Sequence, residues 1–223
     1  MQKISRDQGL MDDNSAADEK RKFLDKWIES KGTASDLASR YPDCACEQAT
    51  ASPKNGLGPV EDTEILRYFY VSRSDGDLKS RKRLQPTPRM FDRAFKGGMS
   101  VVRLQHASRE EVYHTADELS GYQKSLYGNE FGGILGVADF SALAMRIEYE
   151  TEQRMCCVLD TPLDNKPSHA DVVYNLPDIP REDQPDIRNR IFNSAKIPEC
   201  YKTVDDVEDV DLKPFLPSKL KAS

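Results

Sequence analysis

A small α/β or α+β domain with a single mixed sheet, an N-terminal helical hairpin and a C-terminal extended tail is the fold class this chain predicts. Three observations predict it. Short apolar runs rich in β-branched and aromatic residues recur at 65–71, 99–104, 132–138, 155–159 and 170–174, roughly five strands. Stretches of helical period sit between them, which is the pattern of layered strand-helix units. Both ends are polar and carry the prolines and acidic clusters of solvated segments. The expected divisions are a helical arm at 1–41, a linker at 42–60, an α/β core at 61–176 and a Pro-rich acidic tail at 177–223.

The arm comes first. Phe23, Leu24, Trp27 and Ile28 share one stripe, because residues three and four apart are neighbours on a helix surface. The sequence therefore predicts an amphipathic helix over 15–31, capped by Asn14 or Ser15 and ended by Gly32 as a left-handed cap. Thr33 or Ser35 starts a second short helix that stops before Pro42. Positions 42–60 collect Pro42, Pro53, Gly56, Gly58 and Pro59 among small polar residues, a linker composition.

The run 65–71 opens the core as a strand. From Arg73 to Lys96 basic residues dominate, and Pro86-Thr87-Pro88 interrupts regular structure, so a basic exposed loop is expected. A strand at 99–104 is followed by the capping box Ser108-Arg109-Glu110-Glu111, which opens a helix through Leu119. After a polar connection at 120–129, a glycine-flanked strand at 132–138 leads to Asp139, expected to cap a helix at 140–146. The runs 155–159 and 170–174 flank a rigid, polar connection fixed by Pro162 and Pro167. Beyond Pro177 an extended, self-repelling tail is expected, with one helix near 187–192.

Composition bounds the function classes. The chain has 223 residues, 38% hydrophobic and 31% charged, with a mean hydropathy of −0.69 and a pI near 5.2. A formal net charge of −6 argues against whole-surface attraction to nucleic acid or anionic membrane. No window approaches a membrane span, and the first eight residues lack the apolar stretch of a secretory signal, so a cytoplasmic address is expected. The five cysteines include an adjacent and a once-spaced pair, which suit neither a small disulfide framework nor the ligand spacing of a zinc site. Reduced thiols and no metal are expected, and no cofactor is implied.

His169 is the leading candidate for chemistry. It is one of three histidines, it leaves a proline-braced turn, and Asp171 or Asp164 is placed to orient its imidazole for general acid-base work. The bland alternative is a ring that satisfies loop carbonyls between two strands. The glycines at 132–136 surround an apolar strand and lack the spacing of a phosphate-binding loop. His106 and His114 read as surface residues.

The succession Leu66-Arg67, Pro86-Thr87-Pro88, Met99-Ser100-Val101, Leu135-Gly136-Val137-Ala138 and Asp164-Asn165-Lys166-Pro167-Ser168-His169-Ala170-Asp171-Val172 resembles a family of short prokaryotic proteins without an established function. Those proteins carry an Arg-containing first strand, a Ser-Val strand and a closing Asn-Pro-x-His-x-x-Val run, which Lys166 interrupts here. The resemblance covers about 64–175 and implies no activity.

Three roles follow as expectations. The first is an accessory subunit that binds another protein in a prokaryotic, defence- or toxin-related complex, with Phe23, Trp27 and Ile28 as its docking face. The second is a small enzyme acting on a nucleotide or NAD-like ligand, in which Arg67 binds an anionic group, His169 and Asp171 carry the proton transfer, and Ser100 or Thr87 lines the pocket. The third, less favoured, is phosphate contact with nucleic acid through Arg81, Arg83 and Arg89 in the basic loop.

Overall fold

The computed structural model describes residues 7–51, 57–70, 88–127, 136–147, 154–175 and 182–195. Among the described residues five strands form one sheet: β1 (Ile65–Tyr70), β2 (Met99–Arg103), β3 (Gly136–Ser141), β4 (Cys156–Asp160) and β5 (His169–Tyr174). Their order is β3-β1-β2-β5-β4, and all four ladders are antiparallel. The helices are α1 (Asp7–Glu29), α2 (Ala34–Arg40), α3 (Arg109–Tyr127), α4 (Ala142–Arg146) and α5 (Gln184–Ala195). Among the described residues no helix is long and apolar enough to cross a membrane.

One sheet face carries Leu66, Val101, Phe140, Val158 and Val172. Against these pack Met90 and Phe91 from the 3-10 turn Pro88–Arg93, Met145 from α4 and Ile191 from α5. The opposite face is covered twice. Over β3, β1 and β2, helix α3 lays Val112, Ala116 and Leu119 on Ile65, Phe69, Val102, Leu104 and Val137. Over β5 and β4, Leu24 and Trp27 of α1, Leu37 of α2, Cys46 of the turn Ala45–Gln48 and Ala49 just after it lie on Cys157, Leu159 and Val173.

That second covering corrects the expected linker. Cys44, Cys46, Glu47, Ala49 and Ala51 are all buried, Thr50 bridges Asp160, and Cys44 is disulfide-bonded to Cys157. Burying small apolar side chains against an otherwise uncovered half-sheet outweighs the loop-forming composition. The expectation that all thiols are reduced is corrected by the same bond, since residues 113 apart in sequence meet across this layer.

Several boundaries move for identifiable reasons. Helix α1 begins at Asp7, so neither Asn14 nor Ser15 caps it. At its other end the left-handed residue is Lys31, with φ 53°. The Gly32 N–H donates to the Trp27 carbonyl (2.7 Å) and the Lys31 N–H to that of Ile28 (3.1 Å), a Schellman pair. Gly32 is needed for space, because a β-carbon there would land inside the Trp27 indole. Exposed Lys31 is thus a costly residue for its backbone, and Lys31→Gly is expected to raise stability by up to ~1 kcal/mol in urea unfolding.

Thr33 forms the capping box of α2 with Asp36. Ser108 caps α3 through the Glu111 N–H (3.1 Å). The Glu111 carboxylate does not return to Ser108; it accepts from the N–H (2.9 Å) and hydroxyl (2.7 Å) of Ser168. Helix α3 also runs through the expected connection to Tyr127. Asp139 lies within β3 and pairs with Arg67, so Ser141 caps α4 in its place, accepting from the Ala144 N–H (3.2 Å). The helix expected near 187–192 in the tail is α5, longer at both ends, and its Pro185 fits a first helical turn. Its Ile191 is fully buried, and Arg188 pairs with Asp92 (2.8 Å).

Buried arginines stitch these layers. Arg103 bonds both Glu64 oxygens (2.7 and 2.6 Å), Asp160 (2.9 Å) and the Gly58 carbonyl (2.9 Å). Arg146 joins Glu47 (2.9 Å), Asp62 (2.6 Å) and the Val60 carbonyl (2.6 Å), tying the 45–48 turn to α4. Burial alone would raise the Glu64 pKa, but the Arg103 bonds and charge and the Glu61 N–H hold it below the usual carboxylate value. A carboxyl with a depressed folded pKa contributes stability above its unfolded pKa and loses it as pH falls through the folded one. Stability is therefore expected to decline as pH drops below about 4.3, and Glu64→Gln is expected to flatten that decline in unfolding measured between neutral and acid pH.

Candidate functional site

The β4–β5 hairpin pairs Cys156 with Tyr174 through Asp160 with Ala170. Thr161 continues it by donating its N–H to the His169 carbonyl (3.3 Å). Strand alternation then puts His169, Asp171 and Val173 on the doubly covered face. Register aligns Asp139 with Arg67, Arg67 with Val102, and Val102 with His169. The next row places Ser100 opposite Asp171, which faces Leu159. Ser100 is exposed and Asp171 half-buried. They sit in the seam between the apolar layer of α3 and that of α1 and α2.

The hydrogen bonds in this seam fix a direction for protons. His169 Nδ1 is 2.7 Å from the Thr161 carbonyl oxygen. A carbonyl only accepts, so Nδ1 carries the proton and, in the neutral ring, Nε2 is the basic nitrogen. The Thr161 hydroxyl lies 3.1 Å from Nδ1 and donates to Asp171 Oδ2 (2.9 Å), while the Ser100 hydroxyl donates to Asp171 Oδ1 (3.3 Å). The Asp171 carboxylate thus reaches the imidazole through a threonine hydroxyl. Arranged this way, the group orients His169 and offsets positive charge if Nε2 takes a proton.

The walls are held from both sides. Glu111 of α3 fixes Ser168, the residue before His169, and Glu118 of the same helix holds Asn165 and Lys166 of the hairpin loop. On the other side Gly98 has φ 104°, and a β-carbon there would stand 3.0 Å from Asp171 Oδ1. Glycine lets this backbone close on the carboxylate.

Sequence candidates fall into three groups. His169, Asp171 and Ser100 come together, and Asp164 is exposed in the hairpin loop. Thr161, the relay between His169 and Asp171, has no role in the sequence reading, although a hydroxyl eight residues before His169 across a hairpin is the signal that points to it. Arg67 is on the same face but fully buried, its Nε and Nη2 bonded to the two Asp139 oxygens at 2.8 Å each. Val102 stands between it and His169, about two strand spacings or ~10 Å of backbone, so the expected anion-binding role of Arg67 is corrected to a buried ion pair.

Trp27 is buried, and Phe23 and Ile28 pack half-buried against the same cluster. The stripe expected to dock a partner covers the chain's own sheet, with Trp27 Nε1 donating to the Thr33 carbonyl (2.9 Å). Arg89 is exposed on the turn Pro88–Arg93; Arg81, Arg83 and Thr87 lie outside the described residues. Cys44 Sγ, Cys157 Sγ and a Glu47 oxygen lie within 4.8 Å of one another. The sulfurs are bonded together, and Glu47 faces Arg146 (2.9 Å), Arg154 (2.5 Å) and the Val158 N–H (2.5 Å). That donor set is committed elsewhere and does not suit a cation.

Comparison of the chain with protein-family models, curated proteins and solved structures returns no match.

Proposed function

We propose that the chain binds a small polar ligand in the seam and exchanges a proton with it through His169 Nε2, with Asp171, Thr161 and Ser100 orienting and charge-balancing the ring. The observation that supports this reading is the bond from Nδ1 to the Thr161 carbonyl, which leaves the basic nitrogen without a partner among the described residues. Of the two enzyme roles expected from sequence, proton transfer keeps its support and anion capture by Arg67 does not. The ligand class is therefore defined by an ionisable or hydrogen-bonding group, with nucleotide and NAD-like compounds as the first probes. Titration of ADP, NAD⁺ and neutral nucleosides into wild type and His169→Gln, followed by backbone NMR shifts, is the test. At least one probe is expected to shift Ser100 and Asp171 and to lose tenfold or more affinity in the variant. Equal shifts in both proteins, or none, would sink the reading.

A second reading, the accessory protein-binding subunit of a defence- or toxin-related complex, is favoured by one feature of α1. Its packed stripe begins at Phe23, whereas Ser15 to Glu19, Arg21 and Lys22 are exposed. An exposed stretch of helix carrying Asp18, Glu19, Arg21 and Lys22 beyond its anchor suits a charged bridge to another body. A tagged chain is expected to retain a stoichiometric protein that Asp18→Lys with Arg21→Glu releases. Monomeric behaviour with no stoichiometric companion would remove this reading. The cytoplasmic address belongs here as a proposal, and cell fractionation tests it, since oxidising compartments favour the Cys44–Cys157 bond.

A further inference from the structure

We infer that the Cys44–Cys157 disulfide is a redox clamp on the N-terminal helical unit, residues 23–51: closed, it pins that unit to β4, and opened, it leaves the unit attached by packing and hydrogen bonds alone. This inference does not depend on chemistry in the seam. The bond joins the residue that precedes the turn Ala45–Gln48 to the second residue of β4, across the apolar layer that the unit lays on β5 and β4. A cross-link closing a loop of more than one hundred residues restricts opening of the segment it anchors.

The surroundings accommodate both redox states. Asn175 Oδ1 lies 3.5 Å from Cys157 Sγ. A disulfide sulfur has no hydrogen to donate, so this acceptor is used only by the reduced thiol. Asn175 meanwhile donates from Nδ2 to the Pro42 carbonyl (3.0 Å) and so bridges β5 to the unit in either state. Cys44 sits in the left-handed region, φ 58°, a conformation that an L-residue holds at a cost when something constrains it. Glu47 is beside both sulfurs. Burial, followed by the Glu47 charge, pushes the neighbouring Cys46 thiol up to about 12.

Opening is a two-electron reduction by a small-molecule thiol. The bonded sulfurs take up two electrons and two protons and become two thiols, while two thiol molecules leave joined as their disulfide. Cys44 is 2% exposed and Cys157 0%, so exchange must follow a local opening that uncovers β4. In a reducing compartment the clamp opens gradually; in an oxidising one it stays closed. Because the Ala34 N–H bonds the Lys96 carbonyl (2.6 Å), the unit also abuts the segment leading to Gly98 and Ser100.

The test uses the full chain, oxidised, reduced with a dithiol, and as Cys44→Ser/Cys157→Ser, with thiol mapping and hydrogen exchange read by mass spectrometry. The oxidised protein is expected to yield a Cys44–Cys157 cross-linked peptide. Exchange in 23–51 is expected to quicken at least tenfold on reduction and in the double variant, while 99–103 and 169–174 keep their protection. Alkylation of both cysteines in the unreduced, denatured chain would overturn the clamp. So would unchanged exchange in 23–51. Loss of protection across the entire sheet would overturn it too, since the bond would then hold the fold rather than one unit of it.

Discussion

Replacing Arg67 by methionine is expected to cost about 3–5 kcal/mol of unfolding free energy, because it leaves the Asp139 carboxylate buried without its guanidinium. Both side chains are fully inaccessible and meet through two bonds of 2.8 Å. The partner substitution supplies the control. In Arg67→Met/Asp139→Leu neither charge remains, and a buried pair replaced by apolar side chains of similar size is often neutral, so most of the lost stability is expected to return. Urea unfolding of the two variants measures both steps. An Arg67→Met protein with wild-type stability would mean that the guanidinium faces outward and serves a ligand.

Trp27→Ala is expected to be comparably severe, at about 3–5 kcal/mol, from lost transfer free energy and the cavity left behind. The indole is 5% exposed, packs in the layer over Cys157, Leu159 and Val173, and holds the α1–α2 connection through Thr33. Denaturant unfolding with circular dichroism checks the value. If Trp27 were a surface for another protein, its removal would leave the isolated chain's stability within about 0.5 kcal/mol. The tight Schellman turn at Lys31 and Gly32 brings α2 back into the cluster that holds this ring.

Where period and neighbours agreed, the sequence disclosed the structure. Strands at 65–70, 99–103, 156–160 and 169–174 announce themselves by β-branched and aromatic runs, and Thr33 is one of the two starts that the sequence offers for α2. What escaped was decided by distant partners. Asp139 reads as a helix cap until Arg67, 72 residues earlier, claims it for a strand. Glu111 reads as half of a capping box until Ser168 takes its carboxylate. Residues 42–51 have a linker's composition, but a half-sheet left bare by α3 needs a cover, and Cys44, Cys46, Ala49 and Ala51 are small enough to provide it. No local pattern carries that information.

The site shows the same division. His169 is visible as a histidine leaving a braced turn with Asp171 or Asp164 near it, and the extension of β5 back to His169 puts it on one face with Asp171. Thr161 becomes meaningful only once the hairpin register sets it opposite His169. Arg67 misled because a strand arginine is equally consistent with a ligand anchor and a buried ion pair, and only the register with Asp139 separates the two.

How the imidazole of His169 is held decides the proposed chemistry, and a long-range ¹H–¹⁵N NMR spectrum of the histidine ring nitrogens at neutral pH reads that directly. The predicted spectrum has His169 protonated at Nδ1 with a bare Nε2. A ring protonated at Nε2 would contradict the arrangement on which the proposed chemistry rests.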